Sequence, residues 1–373
     1  MTGSARILKH VSRKWTRFRD KDMRENKELK RGSESGRSRR ALKIAIGAVL
    51  TVAVLATRTA PAGAPLEAID VKTRPITEFR IGSSETHFGP LEFVGGLEMV
   101  SPDADFGALS AFRFTKPGSD FVGVADTGFW FFGRVEHDAN QRPSGIVDFR
   151  MEQMIDRDGK IINEKWLTDA EGLDVKDGIA TVGFEREHRI AQYRIEPGNM
   201  QYSFRELDFL VPKNELRKNR GFETVTRAHP YGQHEGALVV VSEKSLDKQR
   251  NIFAAIIEGP NKGIFTVKRS GDFDVTDGAF LPNGDLLLLE RSFTMAESVK
   301  MRLRRIYGES IAKGSVADGP VLFQADIAYQ IDNMEAMDVW TRADGAQMVS
   351  LMSDDNHSIL QRNLYLEFVL HQD

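Results

Sequence analysis

From about residue 65 the chain alternates short apolar runs with Gly, Asp, Asn and Pro turns, and no long stretch carries helical period with capping signals. DFVGVADTGFWFF (120–132), GIATVGFE (178–185), GALVVVSEK (236–244), GDLLLLER (284–291) and AQMVSLMSDD (346–355) are examples. The pattern predicts an all-β chain. KNELRKN (213–219) and AESVKMRLRRI (296–306) are the two places where a short helix or irregular insertion is expected.

The runs repeat. Before each stands an acid or Ser followed by small and apolar residues: LSAF, AEGLDV, FETVTR, TDGAFL and MEAMDV. Aligned on Ser110, Glu171, Glu223, Asp277 and Glu335, they are spaced by 61, 52, 54 and 58 residues. A strand-only period near 55 residues predicts a β-propeller of four-stranded blades around a channel. Five units are readable. FRIGSSETHFGPLEFVGGLEMV (79–100) supplies either a closing segment for the last blade or a sixth sheet, and the chain ends in the alternating NLYLEFVL (363–370).

Upstream of this body the pattern changes. Residues 1–43 hold 15 Lys or Arg against 5 Asp or Glu with almost no apolar periodicity, a composition that predicts a basic disordered segment. Ile44–Thr57 is an uncharged run of 14 residues, short of the roughly 20 that span a bilayer. Followed by Ala60-Pro61-Ala62, it reads as an export signal over 44–64, with an uncleaved anchor as the alternative. Ser38-Arg39-Arg40-Ala41-Leu42 partly resembles a twin-arginine signal. Residues 65–373 then form one propeller domain, expected to be monomeric and periplasmic or secreted.

Removing residues 1–64 takes away 16 positive and 5 negative charges, so a whole-chain charge of −3 leaves −14 on the body. Such an acidic surface repels phosphate backbones and argues against nucleic acid as a partner. Without Cys there are no disulfides and no thiolate metal sites, so any resident cation is expected to have oxygen ligands.

FGALSAFRF followed by DFVGVADTGFWFFGRV, then LTDAEGLDV, and finally NMEAMDVW with SLMSDDNHSILQRNLYLEF, resembles the bacterial family called "esterase-like activity of phytase", from about Leu91 to Leu370. The resemblance implies a secreted or periplasmic propeller related to the six-bladed, calcium-dependent phytases. The chain carries no obvious copy of the phytase active-site pattern.

A second acid recurs 13 to 20 residues after the first in each unit: Asp126, Glu185, Glu243, Glu290 and Asp354. If both positions are equivalent between blades, the acids ring a channel mouth, and bare carboxylates at close range require protons or cations. Asp126, Glu171, Glu223, Asp277, Glu335, Glu243 and Asp354 are therefore candidate metal ligands, with Ca²⁺ as the candidate cofactor. Glu185 and Glu290 are candidate catalytic acids, and His188 and His357 join them because each follows its blade's acid by three residues. That shared position sets those two above His87, His137 and His371. Arg186, Lys244 and Arg291 are candidate substrate-binding cations, each paired with an acid from a neighbouring blade. For any single acid, fixing the blade-to-blade register is the competing role.

No G-x-S-x-G elbow is present, which argues against serine-hydrolase chemistry. The expected function is hydrolysis of a small ester or phosphoester. A ligand- or protein-binding propeller is the alternative, and a lactonase-like hydrolase using Asn356 the third.

Overall fold

The computed structural model describes residues 63–216, 221–295 and 298–371. The basic segment and the apolar run at 44–57 lie outside the described residues. Among the described residues no helix is long and apolar enough to cross a membrane.

Five sheets follow one another along the chain, antiparallel except where the short Val316–Ala317, from the blade 4 segment, adds in parallel to the outer edge of blade 3. Their innermost strands are Leu109–Phe114, Ala170–Lys176, Phe222–Arg227, Asp274–Phe280 and Asn333–Thr341 for blades 1 to 5. Each innermost strand packs against the next, and the fifth against the first. The count is five blades, not six. Residues 79–100 close the ring: Leu91–Val100 pairs with the last strand, Asn363–Leu370, and Lys72–Ile76 lies outside it.

The core is divided into five wedges, one between each pair of neighbouring blades. This explains the unbroken apolar run in LLLLER. In the strand Leu286–Thr294, Leu286 and Leu288 pack toward blade 3 while Leu287 and Leu289 pack toward blade 5. A strand buried on both faces has no need of polar alternation. Each such leucine contributes roughly 1.5–3 kcal/mol through burial.

Two local expectations change. AESVKMRLRRI is not helical where described: Ser298–Ile306 is the third strand of blade 4, with Arg302 and Arg304 directed toward Glu290 and blade 3 and Arg305 paired with Asp285. KNELRKN is a turn as far as residue 216, and its remainder lies outside the described residues. The α-helix found is a single turn, Lys165–Thr168, leading into blade 2.

Candidate functional site

Every innermost strand carries a β-bulge one or two residues from its start, skipping Ser110, Glu171, Glu223, Thr276 and Glu335 in blades 1 to 5. A bulge leaves its extra residue unpaired and re-aims the side chain. These five positions form one ring at the channel mouth. Beside them, the second strand contributes Asp126, Glu185, Glu243, Arg291 and Asp354, each opposite the residue two before the bulge of its inner strand.

The fourth blade corrects the alignment. Its bulge residue is Thr276, whose hydroxyl donates to the Met334 carbonyl at 3.0 Å, and its second-strand residue is Arg291. Asp277 and Glu290 are each one step out of register, and with a side-chain period of two, one step moves a side chain to the other face. Asp277 lies deeper in the channel and is fully buried. Both of its oxygens take the Arg113 guanidinium at 2.8 Å, and Oδ2 accepts the Met337 N–H at 2.8 Å. Arg113 also donates to carbonyls of Phe112, Val225, Gly278 and Met337, so one side chain ties four blades together across the channel.

Glu290 continues the Leu286 and Leu288 face and points toward blade 3. There it is 1% exposed and bonded to Arg302 at 2.5 Å and Arg304 at 2.7 Å. The guanidiniums in turn reach the Ser270 and Lys268 carbonyls, which makes the triad a join between blades 3 and 4. Asp277 as a metal ligand and Glu290 as a catalytic channel acid are therefore not supported, because both carboxylates are already consumed by arginines away from the mouth.

The remaining acids gather in two groups. Asp126, Asp169 and Glu171 present one oxygen each within 4.8 Å of one another, and so do Glu185, Glu223 and Glu243. The first group is partly balanced, with Lys165 on Asp126 at 2.7 Å and Arg186 on Asp169 at 2.5 Å. One oxygen of Asp126 is buried without a hydrogen-bond partner. Among the described residues no cation forms an ion pair with Glu185, Glu223 or Glu243. Glu185 accepts the Gly221 N–H at 3.1 Å. A Cβ at Gly221 would stand 3.0 Å from Glu185 and 3.1 Å from His188, so the close approach of blades 2 and 3 requires glycine there.

Burial pushes the Glu185 carboxyl up to about 8, with Asp169 and Glu243 adding to it and the Gly221 bond opposing. Burial and then Asp274 bring Glu243 to about 7. Burial also lifts Asp354, to about 8, with Glu335 and Asp126 reinforcing. Glu171 and Glu223 are raised well above the carboxylate range by burial and by the other acids of the ring. Glu335 is raised by burial even though Arg291 contacts it at 2.6 Å. Burial works against the charge of Arg291, but Glu335, Glu243, Glu223 and Asp354 together hold it on.

The three candidate substrate-binding cations sit at this mouth, each engaged by a carboxylate. Lys244 pairs with Asp274 of blade 4 and Arg291 with Glu335 of blade 5, while Arg186 pairs within its own blade. His188 lies beside Gly221, and His357 lies beside Gly107, whose φ of 132° suits glycine. Asn356 is exposed, its backbone N–H bonded to Asp354 and its amide nearest Gln361, whereas the buried Asn333 accepts from Arg291 and donates to Glu335. Asp169, Lys165, Asp274, Thr276, Asn333 and Arg113 complete the site or its floor without having been singled out. Asp169 was within reach, standing two residues before Glu171 in TDAEGLDV.

Fold and geometry together define a five-bladed propeller whose channel entrance is a buried, acid-rich pocket. The chain belongs to the phytase-like family: the family model described as "esterase-like activity of phytase" matches residues 104–357. No curated protein matches the chain. Among solved structures it is similar to an endo-arabinase from Bacteroides thetaiotaomicron, at 10% identity over 72% of this chain and 96% of that one, with a TM-score of 0.44. A thermostable family-43 glycoside hydrolase gives 9% identity over 71% and 90%, with a TM-score of 0.43. These likenesses are too distant to bear on activity.

Proposed function

We propose that the chain is an exported, periplasmic or secreted hydrolase of ester bonds, with phosphoesters the favoured class, acting at the carboxylate mouth. The observation that carries this is the Glu185, Glu223 and Glu243 cluster, two buried carboxylates and one half-buried, with one oxygen of each within 4.8 Å of the others and without an ion pair among the described residues. Such a group holds either protons or a cation. The donor set is all oxygen, which suits Ca²⁺, and the neighbouring Asp126, Asp169 and Glu171 group holds a buried Asp126 oxygen with no hydrogen-bond partner. When bound, a hard divalent cation polarises a phosphoryl or carbonyl oxygen and acidifies water.

The chain's own groups supply the remaining functions. Asp354, raised to about 8 and outside the carboxylate cluster, retains a proton near neutral pH and can deliver it to a leaving oxygen. Arg291 stays charged within the ring and can orient an anionic substrate oxygen. Glu171, Glu223 and Glu335, on the bulges of blades 2, 3 and 5, hold their positions through the sheet itself and so form a preorganised wall.

The test is a thermal melt of the purified protein in EDTA and then in excess Ca²⁺, followed by chromogenic phosphate, carboxyl-ester and lactone substrates. At a hundredfold excess over Kd, Ca²⁺ should add about 2.7 kcal/mol of stability. The Glu185→Gln, Glu223→Gln double variant should lose that increment and the hydrolysis together. An unchanged melt would remove the cation from the reading. A bound cation with no turnover on any substrate would favour a ligand- or protein-binding propeller instead.

A further inference from the structure

At the other end of blade 5, where the chain closes the ring, a second group of potential ligands comes together. His87 lies in the two-residue strand His87–Phe88 and pairs directly with Glu92 on Leu91–Val100. Glu92 is paired on its other side with Val369, and His371 follows that strand, its N–H donating to the Pro90 carbonyl at 2.8 Å. We propose that His87, Glu92 and His371 bind one divalent ion of the first transition row, of which Zn²⁺ is the donor set's best match.

The donors support this directly. Two imidazoles and one carboxylate are a zinc set rather than a calcium set. Both Nε2 atoms converge on the same oxygen: His371 stands 2.9 Å from Glu92 Oε2, and His87 stands 3.7 Å from it. Metal–ligand bonds of about 2.0–2.1 Å in a tetrahedron put neighbouring ligand atoms about 3.3 Å apart. The two observed separations bracket that spacing, so an ion entering needs only a small adjustment of exposed side chains.

A partner for the second ring nitrogen is also in place. His87 Nδ1 is hydrogen-bonded to Thr86 Oγ1 at 3.1 Å, which leaves Nε2 for the metal. The two rings stack at 6.0 Å and 15°, so they present their edges in parallel. Three protein ligands leave a fourth position, and a cavity of about 640 Å³ lined by Glu92, His371, Thr341 and Arg342 adjoins it. With two ligands from the N-terminal hairpin and the third beyond the last strand, the ion would tie the two ends of the ring closure together. Residues 87, 92 and 371 all fall outside the matched family range of 104–357.

The full chain, stripped with EDTA, is titrated with Zn²⁺ by calorimetry and with Co²⁺ by visible absorption. The expected result is one high-affinity ion per chain, the intense Co²⁺ bands of a four-coordinate site and a melting temperature raised by several degrees. His87→Ala with His371→Ala should weaken Zn²⁺ binding at least about tenfold and abolish the bands. The exposed positions allow a metal-free melt to verify folding of that variant, and His371→Gln alone serves as the milder version. Two results would overturn the proposal: Zn²⁺ affinity unchanged in the histidine variants, or Zn²⁺ binding lost in Glu185→Gln, Glu223→Gln while the histidine variants retain it.

Discussion

Glu290, midway along the second strand of blade 4, and Glu185, just past the second strand of blade 2, are both almost completely buried. Glu290 meets two guanidiniums and the wedge between blades 3 and 4 closes around a balanced triad. Among the described residues Glu185 meets other acids and the Gly221 backbone N–H, and the nearby Arg186, which is paired with Asp169, offsets only part of its shift. Neutralising partners make a buried carboxylate an element of the scaffold, whereas missing partners leave it dependent on protons or ligands. The same residue type thus acts as mortar in one blade and as a binding group in another, separated by one register step.

The sharpest way to break this comparison is Glu290→Leu. It leaves Arg302 and Arg304 buried without their carboxylate and should cost about 3–5 kcal/mol. The melting temperature should fall by at least about 6 °C, and an unchanged melt would show that the triad is dispensable. At the mouth the sign reverses. Glu223→Gln replaces a carboxyl that folding must either keep protonated or bury charged among other acids with a permanently neutral amide, so at pH 8 and without divalent ions it should raise the melting temperature, and a fall would contradict the reading.

The pH dependence follows from the same difference. The folded state raises Glu185 from 4.5 to about 8, so it retains a proton that the unfolded chain releases. The associated stability is fully present below about pH 4.5 and is lost as pH rises through about 8. Glu243 and Asp354 act in the same direction, over windows ending at about 7 and about 8. In EDTA the melting temperature should therefore fall across this range, with Glu185→Gln flattening the slope. A rise would contradict the electrostatic reading. The smallest effect is expected for Arg134→Ala, far from both sites: its side chain is 48% exposed and that of its partner Asp120 39%, and loss of the pair should change stability by less than about 1 kcal/mol in a denaturant melt.

The repeat was legible because each blade opens on the same local device, a small or acidic bulge residue before a run buried on both faces. Ser110, Glu171, Glu223 and Glu335 stand at that bulge, as their alignment required. In blade 4 the acid next to Thr276 attracted the alignment, since a chemical pattern cannot distinguish a bulged threonine followed by a paired aspartate from the reverse. The LLLLER run posed the same problem. Only pairing of Val275 with Glu290 and of Asp274 with Arg291 decides which charge enters the mouth. His87 and His371 share no position relative to a blade's acid and lie 284 residues apart, so their contact, made by strand closure, leaves no local trace.

By itself the sequence determined that this is an all-β chain of repeated blades with an acid-rich character, because strand period, turn residues and charge are properties of neighbouring residues. The tertiary structure decided that there are five blades and which carboxylates find arginines. It also decided that the fourth blade gives Arg291, not Glu290, to the mouth. Those outcomes depend on register and on contacts between blades, where one residue of slip exchanges a channel-facing side chain for one buried against the next sheet.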